Sequence, residues 1–365
     1  MSGLPRAADI VVIGAGVAGL ACARSLRAAG RSPLILERAR GVGGRCATRR
    51  VHEQPVDHGL AFLHTHLPEV AADIEGIGGV TLLEGWPRRV EGSGTPCQPR
   101  AFLPGARRFA ISEGLSAWPK SLARGLDVRC GVRVNRLRPD PEGFRLEFHL
   151  TDPAEDTEAP LASAAGPGEE LLAREVVLAL PGGQALPLLE GLPDNAEQDL
   201  RAARTLLGML GSASCLTVLA GYPARAPRPD WEICYPEDSP VLQTIVHDSS
   251  KRKDARSLIL VLQAQPCWSR RERESARESW AGAMIQEVGR LLGSWAAQPA
   301  WTQAHRWRYA RTDPGNELSG PMLFDLGGGR RLGLAGEVFH PGSGVEAAWM
   351  SGVRLSRRMA TEAAA

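Results

Sequence analysis

The residues with the plainest chemical meaning are three glycines in the run Gly14-Ala15-Gly16-Val17-Ala18-Gly19. At this spacing the first glycine allows a tight turn, the second lets backbone approach a pyrophosphate, and the third lets a helix pack closely on a strand. The phosphate then rests on free N–H groups at the positive end of the helix. Glu37 stands where a carboxylate can accept both hydroxyls of an adenosine ribose. Together these residues would hold a dinucleotide. Two further sets could touch whatever the dinucleotide acts on. His64 and His66 alternate, so on a strand they share a face, and either imidazole can act as a base near neutral pH. His305, Trp307 and Tyr309 alternate too, and a strand face carrying them would suit a planar or cationic substrate.

These side chains need elements to position them. Residues 10–13 read as a strand, the glycine run as a tight turn, the stretch to Ala29 as a helix, and residues 33–37 as a second strand. That is a βαβ unit. Residues 128–137 read as a strand, and residues 144–150 alternate strictly enough for a half-buried antiparallel one. The apolar run 176–181 reads as a buried parallel strand ended by Pro-Gly-Gly. Residues 151–170, rich in Pro, Ala, Gly and acids, are predicted to be a surface loop. Residues 257–262 read as a strand, 270–292 as one long helix, and the chain closes on a strand over 331–336 and a helix over 345–359.

Directly after Glu37 comes Arg38-Ala39-Arg40-Gly41-Val42-Gly43-Gly44-Arg45, then Asp57-His58-Gly59-Leu60. This acid, Gly-Gly-Arg and Asp-x-Gly order resembles the flavin-containing amine oxidase superfamily. The resemblance implies FAD in place of NAD, with Ala15, Arg38, Gly43 and Gly44 close to it, Arg45 offering donors toward its phosphate or flavin end, and His58, Gly59 and Leu60 at the return to the flavin. The helix and strand over 114–134 look like the pair that brings the Val134 amide to the adenine. Gly336-Glu337 and Gly344-Val345-Glu346-Ala347 look like the closing motif, whose acid and helix N-terminus serve the pyrophosphate and flavin. No cysteine occurs in that closing segment, so FAD is expected to be non-covalent.

Within the superfamily the chain is similar to the renalase-like branch, on residues 41–50, His247-Asp-Ser-Ser-Lys251, Pro266-Cys-Trp-Ser269 and His305-Arg-Trp-Arg-Tyr-Ala310. The resemblance implies an oxidase of dihydro-NAD(P) isomers, with oxygen reoxidising the flavin to give hydrogen peroxide. One departure concerns the segment after Gly59. The branch usually continues Ala-Gln-Tyr-Phe-Thr, whereas this chain has Leu60-Ala61-Phe62-Leu63-His64-Thr65-His66. That departure keeps an amine oxidase or desaturase in contention, and a non-catalytic flavin-binding protein is the third alternative.

Composition bounds the rest. A chain of 365 residues with 43% hydrophobic, 23% charged and a net charge of +2 is an ordinary globular protein, with no basic block to suggest nucleic acid or a membrane surface. No apolar stretch reaches the length of a membrane span. The first ten residues already enter a strand, which predicts no secretory leader. Seven cysteines, odd in number and without a C-x-x-C pair, suggest neither a disulfide framework nor a metal site. The expectation is a cytoplasmic α/β protein with a discontinuous Rossmann-type FAD-binding domain (residues 1–70, 106–185 and 328–365) and an inserted α+β substrate domain (71–105 and 186–327). Substrate is expected at the flavin face.

Overall fold

The computed structural model describes residues 3–151, 168–192, 198–342 and 344–361. The predicted loop falls mainly on residues 152–167, outside the described residues. The chain forms two compact units: residues 1–44, 119–212 and 311–365, and residues 45–118 and 213–310. Against the expected bounds, residues 45–70 and 106–118 pack with the second unit, and 186–212 and 311–327 with the first. The reason is pairing: the hairpin Thr48–Val51/Gln54–Asp57 and the sheet of Leu63–Thr65, Arg107–Ile111 and Leu82–Glu84 form within the second unit.

The first unit is a Rossmann-type α/β layer. Strand β1 (Ala7–Ile13) lies parallel between β2 (Pro33–Glu37) and Glu169–Leu178, which in turn pairs in parallel with Arg331–Leu334. Residues 10–13 and all of β2 are buried, as near-continuous Ile/Leu/Val runs demand when both faces of a parallel sheet are covered. Helix α1 (Val17–Ala28) and the last helix (Gly344–Thr361) cross so closely that a Cβ on Gly352 would sit 2.2 Å from the Ala18 carbonyl oxygen. The predicted strand over 128–137 is two strands. Gly131, at φ +73°, separates Asp127–Cys130, parallel to β2, from Val132–Asp140, antiparallel to Gly143–Leu150.

The second unit holds most of a six-stranded sheet ordered Trp301–Thr312, Ser212–Gly221, Ile259–Ala264, Leu242–His247, Ile233–Cys234, Val90–Glu91. The long helix read over 270–292 is two, Pro266–Glu272 and Arg277–Leu292. Between them the Ser275 hydroxyl donates to Glu272, the kind of local bond that competes with the helical ladder. Trp280, Met284 and Val288, spaced along one face, bury the second helix against Leu260 and Leu262.

Candidate active site

In the first unit the β1–α1 turn is held from three sides. Gly14 donates to the Leu36 carbonyl at 2.8 Å, and Gly43 donates to the Ala15 carbonyl at 2.8 Å. A Cβ on Gly19 would lie 2.0 Å from the Gly14 oxygen, and one on Gly14, at φ +103°, would lie 2.6 Å from the Ala179 oxygen. Only glycine fits either place. At Gly16 a Cβ would meet nothing within 4 Å, and a Cβ on Gly44 would point at the Gly16 Cα, 3.6 Å away. Helix α1 has no side-chain cap and no acid in its first turn, so its leading N–H groups stay available to an anion.

Glu37 ends β2 and is buried. Its two carboxylate oxygens accept from the backbone N–H of Ala15 and of Ala39, both at 2.8 Å. Burial pushes its carboxyl above the usual range, and those N–H groups oppose the push. Arg38 lies beside it. Val134 sits where the register of its strand shifts, a bulge that re-aims the local backbone. Glu337 accepts from the Gly344 N–H at 2.9 Å and so ties its own turn to the start of the last helix, where Val345 and Ala347 are buried. The Gly336 N–H bonds the Ser351 hydroxyl.

In the second unit Gly59 abuts Arg45: a Cβ there would lie 2.1 Å from the Arg45 oxygen, and Leu60 donates to that oxygen at 3.0 Å. Arg45 itself reaches the Ala310 carbonyl. Next to Gly59, His58 meets the strand that carries His305 and Trp307. The His58 and His305 rings are 4.9 Å apart, His305 and Trp307 4.3 Å, and His58 and Trp307 5.4 Å. The Trp307 indole N–H donates to the His58 carbonyl at 3.0 Å. Arg49 lies 3.2 Å from His305 Nδ1, and since guanidinium only donates, that nitrogen accepts. Burial, the neighbouring His305 and the Arg49 charge hold His58 well below the ordinary histidine range, so it is neutral at pH 7. Its Nδ1 is buried with no hydrogen-bond partner among the described residues. Tyr309 lies two residues along and is half-buried.

His64 and His66 part company. Their strand runs Leu63–Thr65, so His66 lies beyond its end, while His64 is buried with its Nδ1 3.1 Å from the Gln98 amide and its ring near Phe62. Ala61 belongs to the apolar cluster of Val51, Val56 and Phe62. The sequence reading missed what supports His58. Lys251, fully buried, bonds Asp57 and Asp248 at 3.0 and 2.8 Å, and Arg252 bonds both at 3.0 Å. Asp57 also accepts from Thr48 and the Leu115 N–H. Burial raises the Asp57 carboxyl, but the two cations outweigh it and bring it down to about 2. Arg252 follows directly on the His247–Lys251 motif, and that adjacency was the available signal. Burial pushes the Cys46 thiol up to about 12, as suits a core thiol.

The NAD(P)-binding Rossmann-like domain profile matches residues 12–74, and the flavin containing amine oxidoreductase profile matches residues 81–360. The chain belongs to the flavin containing amine oxidoreductases. It is an FAD-dependent oxidoreductase. The FAD fits the residues present: open space over Gly16, uncapped N–H groups on α1, and in Glu37 two oxygens that each accept one amide and keep a lone pair.

The fold of this flavin oxidoreductase is shared with a putrescine oxidase variant (TM-score 0.68, 13% identity, 98% of this chain and 99% of that one). It is shared with cyclohexylamine oxidase from Brevibacterium oxydans (0.67, 15%, 98% and 99%) as well. In sequence, 74 residues are 39% identical to (S)-6-hydroxynicotine oxidase of Paenarthrobacter nicotinovorans, covering 19% of this chain and 17% of that protein. Another 59-residue match, 48% identical, covers 16% of this chain and 13% of a Mycobacterium tuberculosis protein named as a flavin-containing monoamine oxidase. These matches thus span under a fifth of either relative. No helix of the described residues is long and apolar enough to cross a membrane.

Proposed function

We propose that this enzyme is a renalase-like oxidase of dihydro-NAD(P) isomers or a closely similar dihydro-heterocycle, with oxygen as the electron acceptor and a reducing, cytoplasmic setting for its free thiols. When bound, FAD supplies the two-electron acceptor for the substrate's C–H hydride and then passes those electrons to oxygen, giving hydrogen peroxide. Glu37 would hold the ribose, the α1 N-terminus and the Gly43-Gly44 loop the pyrophosphate, and Val134 the adenine; Arg45, Gly59 and Leu60 would flank the flavin.

The observation that carries the reading is the meeting of two branch-like motifs at one place. Lys251, from the first, clamps the turn that bears His58, and His305 and Trp307, from the second, pack their rings against that same histidine, one edge-on and one tilted. A dihydropyridine gives up hydride without prior removal of a proton, so such an aromatic cluster needs no charged base. Its residues orient a ring and exclude water, and a neutral His58 fits that task.

The test is anaerobic mixing of the oxidised holoenzyme with 2-, 4- and 6-dihydro-NAD and with a set of primary amines, following flavin absorbance. Bleaching by a dihydro-NAD isomer is the expected result. Bleaching by amines alone would replace this reading with an amine oxidase.

A further inference from the structure

Resting on the reading just given, we infer that His58 and Arg49 select the substrate: they favour a neutral planar heterocycle with a hydrogen-bonding substituent such as a carboxamide, and reject an alkylammonium ion.

His58 is 5% exposed, and its Nδ1 makes no hydrogen bond among the described residues. A buried polar atom left this way is costly, and a ligand that completes its hydrogen bond gains by doing so. The Val56 carbonyl beside the ring favours an N–H toward it, which leaves the lone pair of the other nitrogen to accept from a donor such as a carboxamide N–H. The surroundings of the ring define the shape of the partner. Trp307 lies 32° from parallel at 5.4 Å, and His305 stands edge-on at 83° and 4.9 Å. Both rings pack on His58 and surround it with aromatic surface, which suits a planar partner better than a flexible chain.

Charge defines what is refused. Arg49 donates to His305 Nδ1 at 3.2 Å and reaches the Gln303 side chain at 3.5 Å, which places a permanent cation beside the ring pair. That cation already works against a proton on His58. An ammonium group brought to the same spot would meet the same repulsion in a poorly screened setting. The anion next to His58 in sequence pulls the other way, but Asp57 is itself engaged by Lys251 and Arg252, and burial, His305 and Arg49 outweigh it. His64, which lies with Gln98, is not part of the recognition.

Calorimetric titration of the FAD-loaded enzyme with nicotinamide, 3-methylpyridine and benzylamine at pH 7.5 tests this without turnover. The expected order is nicotinamide tighter than 3-methylpyridine by about tenfold, the worth of one good buried hydrogen bond, with benzylammonium weakest. His58→Phe, which keeps a ring of similar shape, should bring the nicotinamide to 3-methylpyridine ratio near one. Arg49→Gln should raise benzylammonium affinity about tenfold and leave 3-methylpyridine unchanged. An unaltered ratio in His58→Phe at native FAD content overturns the inference. Should that variant fail to fold, Arg49→Gln decides: unchanged amine binding overturns the inference equally. Binding that follows this order in an enzyme no dihydro-NAD isomer can reduce would support the recognition and discard the proposed reaction.

Discussion

Glu37 has two duties that one substitution cannot separate but two can. Its oxygens brace the β1–α1 turn through Ala15 and Ala39, and each keeps a lone pair for a ribose hydroxyl. Glu37→Ala should therefore weaken FAD binding by about 1.5–3 kcal/mol, roughly ten- to a hundredfold, as expected for charge-assisted hydrogen bonds. Glu37→Gln keeps one acceptor and should lose less. Flavin titration of the apoprotein measures both, and equal affinity in all three proteins would remove Glu37 from the ribose. Gly19→Ala belongs to the same scale. Its methyl would lie 2.0 Å from the Gly14 oxygen, so the turn must open, and the purified variant should carry markedly less FAD.

At the scale of elements, the Thr48–Val51/Gln54–Asp57 hairpin and the Asp248–Lys251 turn are joined by charge. Two carboxylates and two cations, all buried, face each other there, with Lys251 also 4.8 Å from the Trp86 ring centre. Removing one partner from such a set strands a buried charge and costs about 3–5 kcal/mol. Lys251→Met should lower stability by that order and loosen the His58 turn. Adding Asp248→Leu should recover part of the loss, and a double variant no more stable than the single would contradict the account. The contact between α1 and the last helix is equally tight. Gly352→Ala should push the helices apart at a cost of about 1–3 kcal/mol, read as a lower melting temperature.

For the whole molecule, buried histidines impose a pH dependence. His58 and His247 are both held below 6.5 by burial, the first further by His305 and Arg49. Below pH 6.5 the unfolded chain takes up protons that the folded chain refuses. Their contribution is therefore full above about pH 6.5 and falls as pH drops, by at most about 1.4 kcal/mol per pH unit for each group. Asp57 adds a separate loss between about 3.8 and 2. Melting of the holoenzyme at pH 7.5 and 5.5 should show the lower temperature at 5.5, and His58→Gln should shrink the difference. A melting temperature that rises toward pH 5.5 would refute the assignment.

The dinucleotide half of this protein was legible in the sequence because its signals are local. Gly14, Gly16, Gly19 and Glu37 fall within one βαβ unit, whose turn, helix and strand are each dictated by a few adjacent residues. The apolar runs over 10–13, 33–37 and 176–178 similarly announced a buried parallel sheet. Where the reading went astray, a single residue or a distant pairing intervened: Gly131 divided one predicted strand between two neighbours, and the bonds around Ser275 broke one predicted helix. The alternation of His64 and His66 promised a shared strand face, but the strand stops at Thr65 and His64 turns to Gln98. Nothing local joins His58 to His305, 247 positions apart (305 − 58), or Asp57 to Lys251. Those meetings arise when the hairpin and the long Trp301–Thr312 strand are packed in one unit, and with them come the neutral state of His58 and the charge beside it. Residue types declared the cofactor; only tertiary packing, which sets burial and brings remote charges together, decided what surrounds His58.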